Sequence, residues 1–365
     1  MSSEQSLELL EEDTLSQGAT ASSLEGAEIQ SLRATATDLS LPLGERLEAY
    51  EDLTDAEVGD TDLTRARNIE REVGLRQIYL KFEGGNPSGT QKDRIAFAHV
   101  LDAMRRGYDR ITVATCGNFG SAVATAAAAA GLHSIVYIPE TYQSKRLDEM
   151  EASGASIVRC PGDYERSVEL SRELAAQEDV YDANPGGANS DLQMRAYGQI
   201  AYELYDELRD APAAVAVPVS NGTTLAGIHR GFVSLYRRGK TSRIPRMVAG
   251  SSFRKNPIVQ AWLKGDDQCD DLEPGRIAET SVNEPLINWH SIDGDLALQA
   301  VRQTGGWAGF GSDKSMTNHA RMIREQQGLS VLPASTAGLL ALIEQHHRDP
   351  LPGDRYVAIL TGRKQ

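Results

Sequence analysis

Residues 78–99 read IYLKFEGGNPSGTQKDRIAFAH. Ile78 to Phe82 have the β-branched and aromatic content of a strand, and Asn86, Pro87, Ser88 and Gly89 supply the chemistry of a turn. From Lys92 onward the letters return to a helical pattern. Strand, turn and helix in that order form the repeating unit of an α/β fold, and the unit recurs along the chain. Short runs rich in Val, Ile and Ala stand at 78–82 (IYLKF), 111–115 (ITVAT), 134–138 (SIVYI), 156–160 (SIVRC), 214–219 (AVAVPV), 246–251 (RMVAGS) and 356–360 (YVAIL). Helices are expected between them, over roughly 92–106, 119–131, 144–153, 163–177, 191–208, 224–238 and 335–347, with a short one near 43–52. This alternation predicts an α/β protein of open, parallel, twisted sheets with helices on both faces. Ligands in such sheets bind beyond the carboxyl ends of the strands, so chemistry is to be sought in the loops that follow them.

Composition narrows the function. The 365 residues are 40% hydrophobic, enough for one large α/β domain or two smaller ones. The first 40 or so residues, with LSQGATASSLEGAEIQ at 15–30, carry few large apolar side chains and read as a mobile arm. A net charge of −15 argues against a broad nucleic-acid surface. No apolar run reaches the roughly 18 to 20 residues that cross a bilayer, and the N-terminus is acidic where a targeting signal would be basic, so a cytoplasmic protein without a membrane partner is expected. The 29 arginines against 8 lysines fit a GC-rich genome and are compatible with a high-salt cytoplasm. Cys116, Cys160 and Cys269 lie too far apart in sequence for a C-x-x-C pair, and no H-x-x-x-H occurs, so neither a disulfide framework nor a metal site is expected. The strings G-x-G-x-x-G, G-x-x-x-x-G-K-[ST] and G-x-S-x-G are absent.

Three loops carry candidate chemistry. After 214–219 comes SNGTTLAG (220–227), with small hydroxyl residues and glycines ahead of a helix. Backbone N–H groups at a helix start, joined by Ser and Thr hydroxyls, suit a phosphate dianion that is held and not transferred; a plain strand-to-helix turn with a capping Ser or Thr also explains these letters. After 111–115 comes CGNFGSA (116–122), where glycine lets the backbone approach a ligand and Asn118 offers both a donor and an acceptor; again a simple turn accounts for the string. The third is the opening stretch, in which Lys92 falls in the first turn of a helix. There the helix dipole lowers an amine's pKa and makes it a nucleophile toward an aldehyde, whereas a lone lysine is ordinarily a solvated charge.

Lys92, Asn118 and Ser220 to Thr224, in that order, together resemble the fold-type II enzymes that use pyridoxal phosphate, a tryptophan synthase β-like fold, and among them the threonine synthases. The segment from Glu57 to Arg94 is similar to that family's entry segment, and LSVLPASTAGLLAL with YVAILTG is similar to its closing segments. The resemblance implies pyridoxal 5'-phosphate bound covalently to Lys92, with its 3′-oxygen at Asn118, its phosphate on Ser220, Asn221, Gly222, Thr223 and Thr224, and its ring nitrogen facing Thr361. It implies a substrate lodged against Thr115, Cys116, Gly117 and Phe119. Tyr181 to Ala183 replace the family's polar pair before Asn184 and Pro185, while Arg195 keeps its spacing to Gly198 and Gln199 and is the implied substrate-phosphate ligand. Cys116 reads as packing. A large cofactor-binding domain over 43–94 and 205–365, a smaller inserted α/β domain over 95–204 and an arm over 1–42 follow from the same likeness, as does a homodimer.

The implied activity is that of a lyase acting on a carbon–oxygen bond to phosphate, with an amino acid or phospho-amino acid as substrate: O-phosphohomoserine and water would give threonine and phosphate. Serine or threonine dehydration, or β-replacement on phosphoserine of the cysteate or cysteine synthase kind, is the alternative. A non-catalytic protein that kept the fold is the alternative of another class.

Overall fold

A computed structural model describes residues 26–115, 117–142 and 146–364. The chain enters through an antiparallel pair, β1 (Leu63–Arg65) and β2 (Ile78–Phe82). It then builds four strands, β3 (Arg110–Ala114), β4 (His133–Pro139), β5 (Ser156–Cys160) and β6 (Tyr181–Asp182), before returning with β7 (Ala214–Pro218), β8 (Arg246–Ser252), β9 (Trp307–Gly311) and β10 (Tyr356–Leu360). Two sheets result, ordered β1-β2-β10-β7-β8-β9 and β5-β4-β3-β6, and every pairing except β1 with β2 is parallel. Parallel neighbours need crossovers, which the helices supply on both faces.

The N-terminal helices are α1 (26–37), α2 (Leu43–Glu57) and α3 (Arg67–Val73). The next group is α4 (Lys92–Arg105), α5 (Asn118–Ala130), α6 (Arg146–Ala152), α7 (Tyr164–Gln177), α8 (Ser190–Leu208) and α9 (Thr223–Arg237). The last are α10 (Pro257–Lys264), α11 (Gly294–Gln303), α12 (Asp313–Gln327) and α13 (Ala337–Arg348). Among the described residues no helix is long and apolar enough to cross a membrane.

The expected arm is only in part outside the described residues, where positions 1–25 lie. Residues 26–37 are helical, contrary to expectation, because Ile29, Leu32 and Ala36 share one face at helical spacing and pack on the main core, with Ala36 fully buried. Composition alone hid that sparse stripe.

Two packing features position the site. Tyr50 of α2 stacks on Phe97 of α4, with ring centroids 5.8 Å apart, and its hydroxyl donates to Ala126 O of α5 at 3.3 Å, so α2 ties together the helices that begin at Lys92 and Asn118. Helices α8 and α9 cross at backbone contact: a Cβ on Gly231 would lie 2.5 Å from Gly198 O, a distance no side chain tolerates. That crossing brings the start of α9 against Tyr197 of α8.

Candidate cofactor and active site

Four strands of the two sheets, β2, β3, β7 and β10, end on one cavity. It is lined by Thr90, Gln91 and Lys92 after β2, by Asn118 after β3, by Ser220 to Leu225 after β7 and by Thr361 after β10, with Pro285, Leu286, Leu332 and Ala334 closing it. This is where a parallel sheet is expected to bind its ligand.

The lysine turn is held from three sides. Gly89 N donates to Asn86 O at 2.8 Å, which closes the turn. Asn86 is itself fixed, its Oδ1 accepting from Gly59 N at 3.0 Å and its Nδ2 donating to Glu83 O at 2.9 Å. Ser88 N and Oγ both donate to Asp93 Oδ2 at 2.9 Å, while burial pushes the Asp93 carboxyl up to about 6 against those bonds. From the far strand, Gln91 N donates to Thr361 O at 3.0 Å and Arg363 N to Gly89 O at 2.9 Å. The ends of β2 and β10 are thus one unit.

Lys92 opens α4 as expected, and its Nζ lies 5.9 Å from the ring centroids of both Phe119 and Tyr197. The residue keeps some exposure where it lines the cavity, but protein crowds the amine, and burial lowers its pKa to about 8. The cause is desolvation; the expectation rested on the helix dipole. Loss of water around an ammonium favours the neutral amine, which is the reactive form toward an aldehyde. A direct consequence is that, in cofactor-free protein, the rate of covalent capture of pyridoxal phosphate rises with pH through about 8 and then levels. A stopped-flow pH series measures it; a midpoint near the ordinary lysine value of 10.5 would refute the buried amine.

The loop after β7 forms an anion cradle. Gly222 has φ of 91°, and a Cβ there would lie 2.8 Å from Asp293 O, so only glycine lets the loop run this close to the segment ahead of α11. No side chain caps α9, which leaves the first N–H groups, from Thr223 to Leu225, without an intrahelical partner and beside the cavity. Side chains missed at the sequence level brace the loop from behind. Asn256 Nδ2 donates to Ser220 O at 2.9 Å, Ser291 Oγ does so at 2.9 Å, Asn288 Nδ2 donates to Asn221 Oδ1 at 2.8 Å, and the Thr223 hydroxyl donates to Asp293 Oδ2 at 2.6 Å. The Thr223 hydroxyl is therefore part of the brace; its backbone N–H faces the ligand space.

Thr361 lines the cavity, with its hydroxyl 3.1 Å from Ser335 Oγ. Thr115 is buried and its Oγ1 accepts from Gly117 N at 3.4 Å; Phe119 is buried beside Lys92. Cys116 lies outside the described residues. Asn184 is wholly buried and accepts from Ala114 N at 2.8 Å, so it pins the end of β3 from which the Asn118 loop departs.

Arg195 is not brought to the cavity: its side chain is 63% exposed on α8 and its Nε lies 3.4 Å from Asp191 Oδ2, an i, i+4 surface pair. Two positions on, Tyr197 faces inward against Lys92, and burial pushes its phenol well above the ordinary range, so it is a neutral wall of the site. Two further groups had no sequence signal. Arg146, one arginine among 29, donates from Nε to Asn118 Oδ1 at 3.0 Å. Glu284, in the segment that closes the cavity, places Oε1 3.8 Å from where a Cβ on Gly117 would sit, and burial together with Glu279 raises its pKa.

The residues present fit pyridoxal phosphate. A neutral-prone amine awaits an aldehyde, bare N–H groups at a helix start await a dianion, and Gln91 Oε1, next to Lys92, is buried without a hydrogen-bond partner. Fold and cavity together define a fold-type II pyridoxal-phosphate enzyme. The profile of the family described as pyridoxal-phosphate dependent enzyme matches residues 54–362, and the chain belongs to that family.

It is similar to the threonine synthase of Methanocaldococcus jannaschii, 29% identical over 309 residues, which are 83% of this chain and 74% of that one. It is likewise 29% identical to the threonine synthase of Bacillus sp. (strain ULM1), over 83% of this chain and 82% of that protein. Among solved structures, maize serine racemase shares the fold at a TM-score of 0.73 and 17% identity, covering 87% of this chain and 92% of its own. The L-serine ammonia-lyase of Rhizomucor miehei does so at 0.69 and 22%, covering 84% and 94%.

Proposed function

We propose that this chain removes a leaving group from the β or γ carbon of an amino acid, and that its reaction is the formation of threonine and phosphate from O-phosphohomoserine and water. The observation that supports the elimination chemistry is the desolvated amine of Lys92, the one lysine among the described residues that lines the cavity, at the junction of three loops that suit a carboxylate, a phenolic oxygen and a phosphate. Pyridoxal phosphate, when bound, supplies an electrophilic aldehyde and a ring that accepts electron density from Cα. Lys92 Nζ would hold that aldehyde and, once displaced by substrate, take the proton from Cα and return it during turnover. The backbone N–H groups at the start of α5 would receive the substrate carboxylate, and Phe119 with Tyr197 keeps water from the amine. Thr361 offers a hydroxyl where a carboxylate would hold the ring nitrogen protonated, which moderates electron withdrawal and favours elimination and replacement over transamination. The similarity to proteins named threonine synthase supports the choice of substrate.

A second reading, dehydration of serine or threonine, is favoured by two observations. Arg195 sits on the surface in a pair with Asp191, and the Glu284 carboxyl stands beside Gly117, where it would repel a phosphate dianion and accept from a hydroxyl. Cofactor-loaded protein assayed in parallel for phosphate release from O-phosphohomoserine and O-phosphoserine, and for keto-acid formation from threonine and serine, separates the readings. Threonine and phosphate appearing together support the first; keto acid without phosphate release from either phosphorylated substrate overturns it.

A further inference from the structure

The amide of Asn118 has two unlike ends, an acceptor Oδ1 and a donor Nδ2, and which end faces the cavity decides what it can hold. Arg146, at the start of α6, is 6% exposed and approaches this amide from behind. Its Nε donates to Asn118 Oδ1 at 3.0 Å, its Nη2 donates to Ser88 O at 3.0 Å, and its Nη1 pairs with Glu149, which also accepts from Ser121 Oγ at 2.9 Å. One guanidinium therefore joins the Asn118 loop, the turn that precedes Lys92 and the first turn of α5.

A guanidinium carries only donors, so the reversed amide would set donor against donor within a buried contact. With Oδ1 committed to Arg146, the Nδ2 of this cavity-lining residue is the end left for a ligand. Among the described residues, Glu149 on its own helix, Asp93 on α4 and Arg363 after β10 are charged groups that bear on Arg146.

We propose that Arg146 is a positioning residue that locks the Asn118 amide with its Nδ2 toward the phenolic oxygen of pyridoxal phosphate and so keeps that oxygen anionic. This rests on the cofactor occupying the cavity as described above. Arg146 is not among the residues that line the cavity; it acts through Asn118, which is.

The test is spectroscopic and needs no turnover. Apo-protein is titrated with pyridoxal phosphate, and the dissociation constant and the ratio of the visible band to the near-ultraviolet band of the uncharged phenol form are read across pH. Arg146→Met keeps an apolar stem but no donor; it is expected to raise the dissociation constant at least tenfold and to move absorbance into the near-ultraviolet band. Arg146→Lys restores one donor and is expected to recover the visible band. Glu149→Gln disturbs the same guanidinium from its far side without removing the bond to Asn118, and is expected to leave the band ratio at the wild-type value. Equal dissociation constants and band ratios in wild type and Arg146→Met overturn the proposal, as does a band shift in Glu149→Gln as large as that in Arg146→Met.

If Arg146→Met does not fold, wild type labelled with ¹⁵N-asparagine decides: cofactor addition is expected to shift the Asn118 Nδ2 resonances, and unshifted resonances overturn the proposal. A wild type that shows no visible band with pyridoxal phosphate would strike at the cofactor reading itself, which is a different failure.

Discussion

Lys92→Ala yields a folded protein that loses pyridoxal phosphate on gel filtration and turns over substrate more slowly by on the order of 10³-fold or more, since it lacks both the covalent tether and the proton acceptor at Cα. The variant is expected to fold because the amine is held against its own preference for water. Its folded pKa of about 8 lies below the ordinary 10.5, so between those values the unfolded chain binds the extra proton and the Lys92 contribution to stability rises with pH. At neutral pH the charged amine opposes folding, and alanine in the first turn of α4 is a good helix former. Near pH 7 the apo variant should therefore unfold at a temperature no lower than apo wild type, and the gain in wild-type stability from pH 8 to 10.5 attributable to this amine should vanish in the variant. A variant that keeps the visible cofactor band and wild-type turnover would remove Lys92 from the account.

The second large effect lies beneath the site. Glu83 is fully buried at the end of β2, where its carboxylate accepts from Arg94 Nε at 2.6 Å, Arg94 Nη2 at 2.9 Å, Thr61 Oγ1 at 2.8 Å and Asn86 Nδ2 at 3.1 Å. Arg94 also pairs with Glu203 at 2.6 Å, and Glu203 in turn with the buried Lys81 at 2.6 Å, which makes a closed set of two cations and two anions. Glu83→Ala leaves the Arg94 cation short of one counter-charge and loosens Asn86, the residue that shapes the lysine turn. Breaking a buried pair from one side costs about 3–5 kcal/mol. Urea unfolding of apo-protein should show a loss of that order, accompanied by weaker cofactor binding as Lys92 loses its placement. A loss below about 1 kcal/mol would show the set to be energetically idle, as exposed pairs are.

Much of this site could be read from local letters because each of its loops follows a strand and opens a helix. The turn at Asn86 to Gly89, the lysine at the first position of α4 and the glycine-rich approach to α9 are all properties of a few neighbouring residues. Strand β9 escaped notice since Trp307 to Gly311, WAGFG, has neither β-branched residues nor alternation; it becomes a strand by pairing with β8. Helix α12 escaped for a related reason: it is largely polar and buries only Met316, Ala320 and Ile323.

Residues that act across the fold left no trace in sequence. Arg146 reaches Asn118 from 28 positions away, and Asn256, Asn288 and Ser291 brace a loop at 220. Arg195 shows the opposite hazard, for its spacing drew attention while helical geometry turned it outward and turned Tyr197, two residues on, toward the amine. The depressed amine was expected for the wrong cause: helix position was visible in the letters, whereas the rings that exclude water come from α5 and α8.

The central claim is that one amine, at the end of β2 and the start of α4, holds the cofactor aldehyde. Borohydride reduction of loaded wild-type protein, followed by digestion and mass mapping, tests it most directly. The expected result is a reduced pyridoxyl group on the peptide that carries Lys92 and on no other. A label on Lys81 or another lysine, or no label at all, would contradict the account.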